Sequence, residues 1–541
     1  MTGRRRHLLA LAALVLLGGV LRFWALDTGL PHPMTRPDEE VIVGRTAMPA
    51  QGKFDLRWES YPSAYVYLTW LWATIGVRAV QAFGDAPAAG YLDVLRARLD
   101  AVILVARALS AAAGTATVAL TGVLAGRALG PGAGLAAAAL LATSFLHVRD
   151  SHYVKPDALL ALAVLCTVGA AVPLAVRATR LRAVGAGLAL GAAAAMKYPA
   201  AILGAVTYAA ACAGGAARGR RRLASKPGAT ALATAALAFA ATSPFVLLNP
   251  TTFRKVLEIV AAAFPQAAPV PAPTLPPIAG YPDWMQRAWW EGLVYHAAFS
   301  LRYGTGIAVT LLAPIAVVWG FAHRHPLTRL AAAAVLVWYG FFGLSKITLA
   351  RYVTPLVPLL AILEGGLLSA AAARLGTPRR AATGLAFATL AIAAEPLVAS
   401  VAFDRLAARE DTRVLATRWL AAHLPRGARV AVLGSQVWFW GAPQMPPGVT
   451  QLPGATPTPA ELDRAGVRWV VVHDHVLFSS RPDAAAVDAL APRLRLLVEF
   501  DPAVPGGGEA VFEPVDAYYL PIHGFGAVTR GGPRVRIYAF D

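Results

Sequence analysis

The chain has 541 residues, 57% of them hydrophobic and only 15% charged, with a formal net charge of +19. A soluble protein of this length carries nearer a quarter charged residues, so the composition excludes an ordinary soluble enzyme. The arginines cluster between apolar runs rather than along one face, which excludes nucleic acid as the partner, and the two cysteines, Cys166 and Cys212, lie inside apolar runs, which excludes a disulfide framework or a zinc cluster.

In chain order, Arg4, Arg5 and Arg6 precede an apolar run that no small-residue cleavage site follows, so it reads as a first membrane anchor. Apolar segments approaching the ~20 residues of a spanning helix predict spans at 8–26, 101–126, 132–148, 157–176, 183–197, 199–214, 229–248, 305–322, 329–344, 353–373 and 382–402, eleven in all. Alternate connections hold Arg4–Arg6, Arg127, Arg177/Arg180/Arg182, Arg218–Arg222 with Lys226, Arg324/Arg329 and Arg374/Arg379/Arg380, without an acidic residue. The positive-inside rule makes them cytoplasmic. The acid-bearing connections 27–100, 149–157, 249–304 and 345–352, and the tail from about 403, then lie outside. Residues 62–83 would invert this topology if they crossed, so they read as an aromatic helix at the outer interface, with Tyr65, Tyr67, Trp70 and Trp72. Residues 283–300 read similarly, after a stiff Pro-rich stretch at 265–282. Beyond 403, β-rich runs at 428–433, 467–473, 494–500 and 534–539 alternate with helical stretches at 411–423 and 484–491. The expectation is therefore a polytopic α-helical membrane protein of residues 1–402 with outer-face interfacial helices, followed by a small α/β domain, 403–541, outside the membrane. This domain shows no catalytic constellation and reads as support or acceptor binding. The location expected is the inner (plasma) membrane, multi-pass, with a cytoplasmic N-terminus.

Several polar groups suit chemistry. Arg36–Pro37–Asp38–Glu39–Glu40 opens the first outer loop. Such a cluster is either solvated loop charge or a source of a general base, since crowded carboxylates raise one another's pKa toward neutrality. The turn Arg149–Asp150–Ser151–His152–Tyr153–Val154–Lys155–Pro156–Asp157 is dense in charge between apolar spans. Asp157 at a helix start is an ordinary N-terminal carboxylate, yet charge at bilayer depth tends to face a cavity. Arg107, Lys197 and Arg351 sit at outer span ends against the positive-inside trend. Each alone reads as a snorkelling anchor; together, opposite acids, they suggest a seat for an anionic headgroup, where Arg supplies bidentate geometry and Lys a point charge.

The order of these pieces resembles the GT-C superfamily of membrane glycosyltransferases, in the branch of the protein O-mannosyltransferases and lipid A aminoarabinose transferases (glycosyltransferase family 39-like). The features that carry it are Asp38–Glu39 soon after the first span, the aromatic helix led by Tyr61–Pro62, Arg107–Ala–Leu–Ser and Lys155–Pro156–Asp157. They continue with Gly187 to Gly191 leading to Met196–Lys197–Tyr198, Ser243–Pro244 to Asn249–Pro250, and Arg351–Tyr352 to Pro355 and Pro358. The likeness covers about residues 1–400. It implies a transferase moving a sugar from a polyprenyl-phosphate lipid to a glycan, lipid or protein acceptor of the cell envelope, with Asp38 as base and Glu39 supporting it. Lys197, Arg351 and Arg107 would hold the donor phosphate, and Asp157, His152, Lys155 and Tyr198 the substrates. Where the aminoarabinose branch has Glu-Lys-Pro, this chain has Glu59–Ser60–Tyr61–Pro62, so no metal ligand set carries over, and a divalent metal stays an open alternative to no cofactor. A transporter or flippase of lipid-linked sugars, with Glu364 as its mid-depth ionisable group, and a glycan ligase of the same fold are the competing readings.

Overall fold

The computed structural model describes residues 3–58, 60–83, 90–216, 225–262, 290–345, 347–434, 440–452, 457–514, 516 and 518–541. Glu59, Lys346, the Pro-rich 265–282 and the aromatic residues Trp284 and Trp289 lie outside them. The described residues pack as two units, one within 1–24, 41–267 and 287–400, the other within 25–40 and 401–541.

The first unit is helical. Among the described residues six helical stretches are long and apolar enough to cross a membrane: Arg4–Phe23, Leu99–Leu129, Asp157–Val176, Pro326–Gly343, Ala350–Leu375 and Pro378–His423, the last made of the separate helices Pro378–Ala407 and Thr412–His423. A bent pair, Glu291–Thr305 and Ile307–Ala322, makes up to seven. The other four expected spans are shorter as built. Residues 132–148 form the 13-residue helix Pro131–Thr143, and 229–248 form Lys226–Thr242 and, past Ser243, Pro244–Leu248. Residues 183–197 and 199–214 form Arg180–Met196 and Gly204–Ala216, separated by the 3₁₀ turn Tyr198–Leu203. Proline explains two of these interruptions: Pro199 and Pro244 lack an amide donor and crowd the preceding turn, so an α-helix cannot run through them.

Small residues let these helices approach closely. A Cβ on Gly187 would lie 2.4 Å from the Ala231 carbonyl oxygen, and one on Gly191 2.6 Å from that of Ala235. Glycines four apart thus form the face that Arg180–Met196 presents to Lys226–Thr242, the backbone-to-backbone packing that replaces hydrophobic driving force in lipid. Residues 62–83 form one helix, Ser63–Phe83, which packs on Leu99–Leu129 through Gly76 against Val105 and through the Trp72 indole, whose N–H donates to the Val105 carbonyl at 2.8 Å.

The second unit is built on a five-stranded mixed sheet of order β2-β1-β3-β5-β4: β1 (Arg429–Leu433), β2 (Thr450–Gln451), β3 (Trp469–Asp474), β4 (Leu494–Phe500) and β5 (Arg534–Phe540). β1 runs parallel to β2 and β3, and β5 pairs antiparallel with β3 and β4. Side chains alternate faces along a strand, and both faces are covered. Val430, Val432, Val471, Val535 and Ile537 pack with Ala416 and Leu420 of the helix Thr412–His423. Ala431, Leu433, Val470, Val472 and Phe540 pack with Leu462 and Leu490 of the helices Pro459–Arg464 and Ala484–Leu490. The four long strands fall on the four β-rich runs of the sequence. The two-residue β2 and the helix Pro459–Arg464 were too short to show a period.

Candidate active site

In the first unit the site is assembled from three helix ends. The chain leaves Pro131–Thr143 at Ser144, makes the short helix Phe145–Asp150 and a buried turn, and enters Asp157–Val176 with Asp157 as the first helical residue. Every residue from 141 to 160 is buried. Lys197 caps Arg180–Met196 in extended backbone, φ −158°, where Pro199 stops the α-helix. Arg351 lies in the 3₁₀ turn Ala350–Leu356.

These three groups meet. Lys197 Nζ donates to Asp157 Oδ1 at 2.9 Å, and Arg351 Nε lies 3.9 Å from Asp157 Oδ2. Their exposures are 1% for Asp157, 8% for Lys197 and 7% for Arg351, so two cations share one carboxylate with little water near them. The Lys197 ammonium also sits 4.7 Å from the centre of the Tyr352 ring. A buried charge is tolerable only when paired in this way. The arrangement positions an ammonium and a guanidinium, which is chemistry suited to an anion. Beside it, Leu190, Ala194, Tyr198, Leu232, Ala235 and Phe239 line an apolar groove of about 370 Å³.

The remaining expected residues of this unit are placed as follows. Arg107 is buried with its guanidinium 5.2 Å from the Tyr153 ring centre. Lys155 is buried, two residues before Asp157. Both His152 ring nitrogens face backbone carbonyls, Nδ1 that of Val148 at 2.9 Å and Nε2 that of Trp24 at 2.8 Å, so the ring ties the turn to the end of the first helix. Tyr198 packs against Phe239, with ring centres 6.2 Å apart. Asp150 and Tyr352, which the sequence showed only as members of their motifs, also line this site. Asp150 takes Arg149 Nε at 3.1 Å and the Thr354 hydroxyl at 2.6 Å, and Tyr352 lies under Lys197. Among the described residues no three His, Cys, Asp or Glu side chains form a metal-ligand group.

Asp38 and Glu39 belong to the second unit. Asp38 has φ +70°, a left-handed conformation that few residues other than glycine adopt and that Asp tolerates better than most. Such backbone clusters at functional sites because the surrounding structure must hold it there. Glu39, buried, is the first residue of the helix Glu39–Arg45, where a carboxylate complements the helix dipole.

Around residues 25–40 the second unit carries a buried polar network that the sequence reading missed, because its members are scattered from His32 to Tyr519. Asp411 chelates Arg413, with Nε to Oδ1 at 2.8 Å and Nη2 to Oδ2 at 2.7 Å. Arg413 also stacks 4.8 Å over Tyr519, whose hydroxyl bonds those of Ser479 and Ser480 at 2.8 and 2.7 Å, and Ser480 meets His473 Nδ1 at 2.9 Å. Burial, then the Arg413 guanidinium, pushes the His32, His473 and His475 imidazoles down to about 3. Burial works to raise Asp411, but Arg413 holds its carboxyl below the usual value.

The sign follows from the native histidines binding no proton while the unfolded ones titrate near 6.5. Stability is therefore retained above that pH and falls as pH drops toward 3, by about 1.4 kcal/mol per unit for each histidine, with Asp411 adding a loss below ~4. Thermal unfolding in detergent between pH 7.5 and pH 5 is expected to show a falling midpoint, and a flat profile would contradict the burial of these rings.

Residues 85–247 match the model of the family described as dolichyl-phosphate-mannose-protein mannosyltransferase. No curated protein matches the chain. Among solved structures, ArnT from Cupriavidus metallidurans in the apo state superposes with a TM-score of 0.52 at 16% identity, covering 99% of this chain and 98% of that one. The same enzyme bound to undecaprenyl phosphate gives 0.51 at 15% identity over the same shares. The Archaeoglobus fulgidus oligosaccharyltransferase in complex with Zn and sulfate gives 0.47 at 13%, covering 85% of this chain and 67% of that one. At these identities the likeness is one of fold. The mannosyltransferase model lies over the segment that holds Arg107, Asp157 and Lys197, and the chain shares the fold of ArnT.

Proposed function

We propose that this protein transfers a sugar from a polyprenyl-phosphate donor to an acceptor on the outer face of the inner membrane, through eleven spans with the N-terminus cytoplasmic and the 403–541 domain outside. The observation that carries the reading is the convergence of Lys197 and Arg351 on Asp157 beside an apolar groove: cationic groups for a phosphate adjoin an apolar surface for a lipid tail. Undecaprenyl phosphate bound to ArnT, a protein of the same fold, supports that class of donor.

In this reading Lys197, Arg351 and Arg107 hold the phosphate, and Asp38, with Glu39 beside it, removes the proton of the acceptor hydroxyl or amine. The acceptor atom attacks the anomeric carbon, and the bond from that carbon to the phosphate oxygen breaks with its electron pair leaving on the lipid phosphate. The three cations stabilise that developing charge in a water-poor site. One displacement inverts the anomeric centre. Asp157, Lys155 and Tyr198 orient the bound groups, and His152 holds the turn that carries them. The acceptor class is a glycan, a lipid or a protein.

Titration of the purified protein with undecaprenyl phosphate tests the donor site. Arg351→Ala is expected to weaken binding by about 10–100-fold, the worth of one or more charge-assisted hydrogen bonds, and affinity within twofold of wild type would remove Arg351 from the site. Mass spectrometry of lipids from cells with and without the gene names the sugar, as an accumulating polyprenyl-phosphate sugar.

A flippase reading draws on one observation. Glu364 is buried in the helix Val357–Ala372, and neither carboxylate oxygen has a hydrogen-bond partner among the described residues. Loss of function in Glu364→Gln with Asp38→Asn silent would favour it.

A further inference from the structure

Several buried contacts of residues 401–541 go to the segment that carries Asp38. Arg36 Nη2 donates to Asp516 Oδ2 at 2.5 Å, with the two side chains 1% and 3% exposed, and the same guanidinium lies 5.0 Å from the centre of the Tyr518 ring. Arg413 Nη1 donates to the Met34 carbonyl at 3.0 Å. His32 Nε2 meets the Ala442 carbonyl at 2.9 Å, and the Thr35 hydroxyl donates to the His32 carbonyl at 2.9 Å. The turn closes with the Glu39 amide donating to the Arg36 carbonyl at 3.2 Å. Residues 32, 34 and 36 are thus each fastened to 401–541, two residues short of an aspartate held at φ +70°.

These contacts differ in kind from packing. Arg36–Asp516 is a buried ion pair, which gives little net stability but strongly fixes geometry, because each partner is costly to leave alone. Arg413 is itself locked by both Asp411 oxygens before it reaches Met34. Catalytic groups must be held to about half an ångström by a second layer of bonded residues, and a left-handed aspartate on an unsupported loop would relax.

We propose that Asp516 and Arg413 are positioning residues for the base: the C-terminal unit clamps residues 32–36 so that Asp38 keeps its left-handed backbone and its carboxylate its place. The proposal rests on the reading of Asp38 as general base. Neither residue touches substrate; both act through the 32–38 backbone.

The test uses full-length protein. Transfer is read in cells lacking the gene, as consumption of polyprenyl-phosphate sugar by mass spectrometry. Binding is read with undecaprenyl phosphate, and loop order by hydrogen exchange over 32–40. Asp516→Asn is expected to lower transfer about 10–100-fold, to leave undecaprenyl phosphate affinity within twofold, and to speed exchange over 32–40 at least tenfold. Asp516→Glu should recover about tenfold of the transfer. Should Asp516→Asn fail to fold, Arg36→Lys, which keeps the charge but loses the directed bond, is expected to shift the same readouts in the same direction. Transfer within threefold of wild type, or exchange over 32–40 unchanged, in the variant that folds would overturn the clamp. Silence of Asp38→Asn would instead sink the base assignment, and the exchange result would still judge the clamp by itself.

Discussion

Asp38→Asn is expected to lower sugar transfer by about 10²–10⁴-fold, the usual contribution of a general base, while leaving the melting temperature and undecaprenyl phosphate affinity near wild type. Asparagine is the informative substitution. Asp38 sits at φ +70°, and Asn and Asp are the residues that tolerate this region best after glycine. The amide keeps the shape and the backbone and removes only the charge and the basicity. Asp38→Ala would add backbone strain and confuse two causes. Transfer within threefold of wild type, measured by consumption of the polyprenyl-phosphate sugar, would show that another group takes the acceptor proton.

Lys197→Met is expected to destabilise the protein by about 3 kcal/mol and to abolish measurable donor binding. The substitution keeps most of the side-chain volume but leaves the Asp157 carboxylate, 1% exposed, without its 2.9 Å ammonium. Removing one partner of a buried pair typically costs ~3–5 kcal/mol; Arg351 at 3.9 Å still faces the carboxylate, which places the expectation at the low end. The double variant Lys197→Met/Asp157→Asn should recover much of the stability, because no charge is then stranded, but none of the binding. Thermal unfolding in detergent separates the two effects. A single variant as stable as wild type would mean that the pair is open to water, and a double variant that binds undecaprenyl phosphate normally would remove the ammonium from the phosphate seat.

The two effects also explain why the site was only half legible. Asp157, Lys197 and Arg351 stood out individually because each is a charge between apolar runs, where charge is costly. Nothing local says that they meet: Lys197 is 40 residues from Asp157, and Arg351 comes from the distant 3₁₀ turn Ala350–Leu356. His152 drew notice for the same reason as Asp157, yet its ring nitrogens are taken by the carbonyls of Val148 and Trp24, a contact that no spacing rule reveals. Asp516 and Arg413 carried no signal, since isolated charges in a polar domain look solvated until their burial is seen.

What the chain's own pattern settled is what depends on near neighbours. Apolar run length marked the membrane-length helices, β-rich composition marked the four long strands of the C-terminal sheet, and the runs 183–197 and 199–214 parted at Tyr198–Pro199, because hydrogen bonding and side-chain crowding act over a few residues. Tertiary structure alone decided that residues 25–40 pack with 401–541 and that two cations converge on Asp157. Those outcomes are set by burial and charge pairing between groups far apart in the chain, and such energies exist only once the helices have closed on one another.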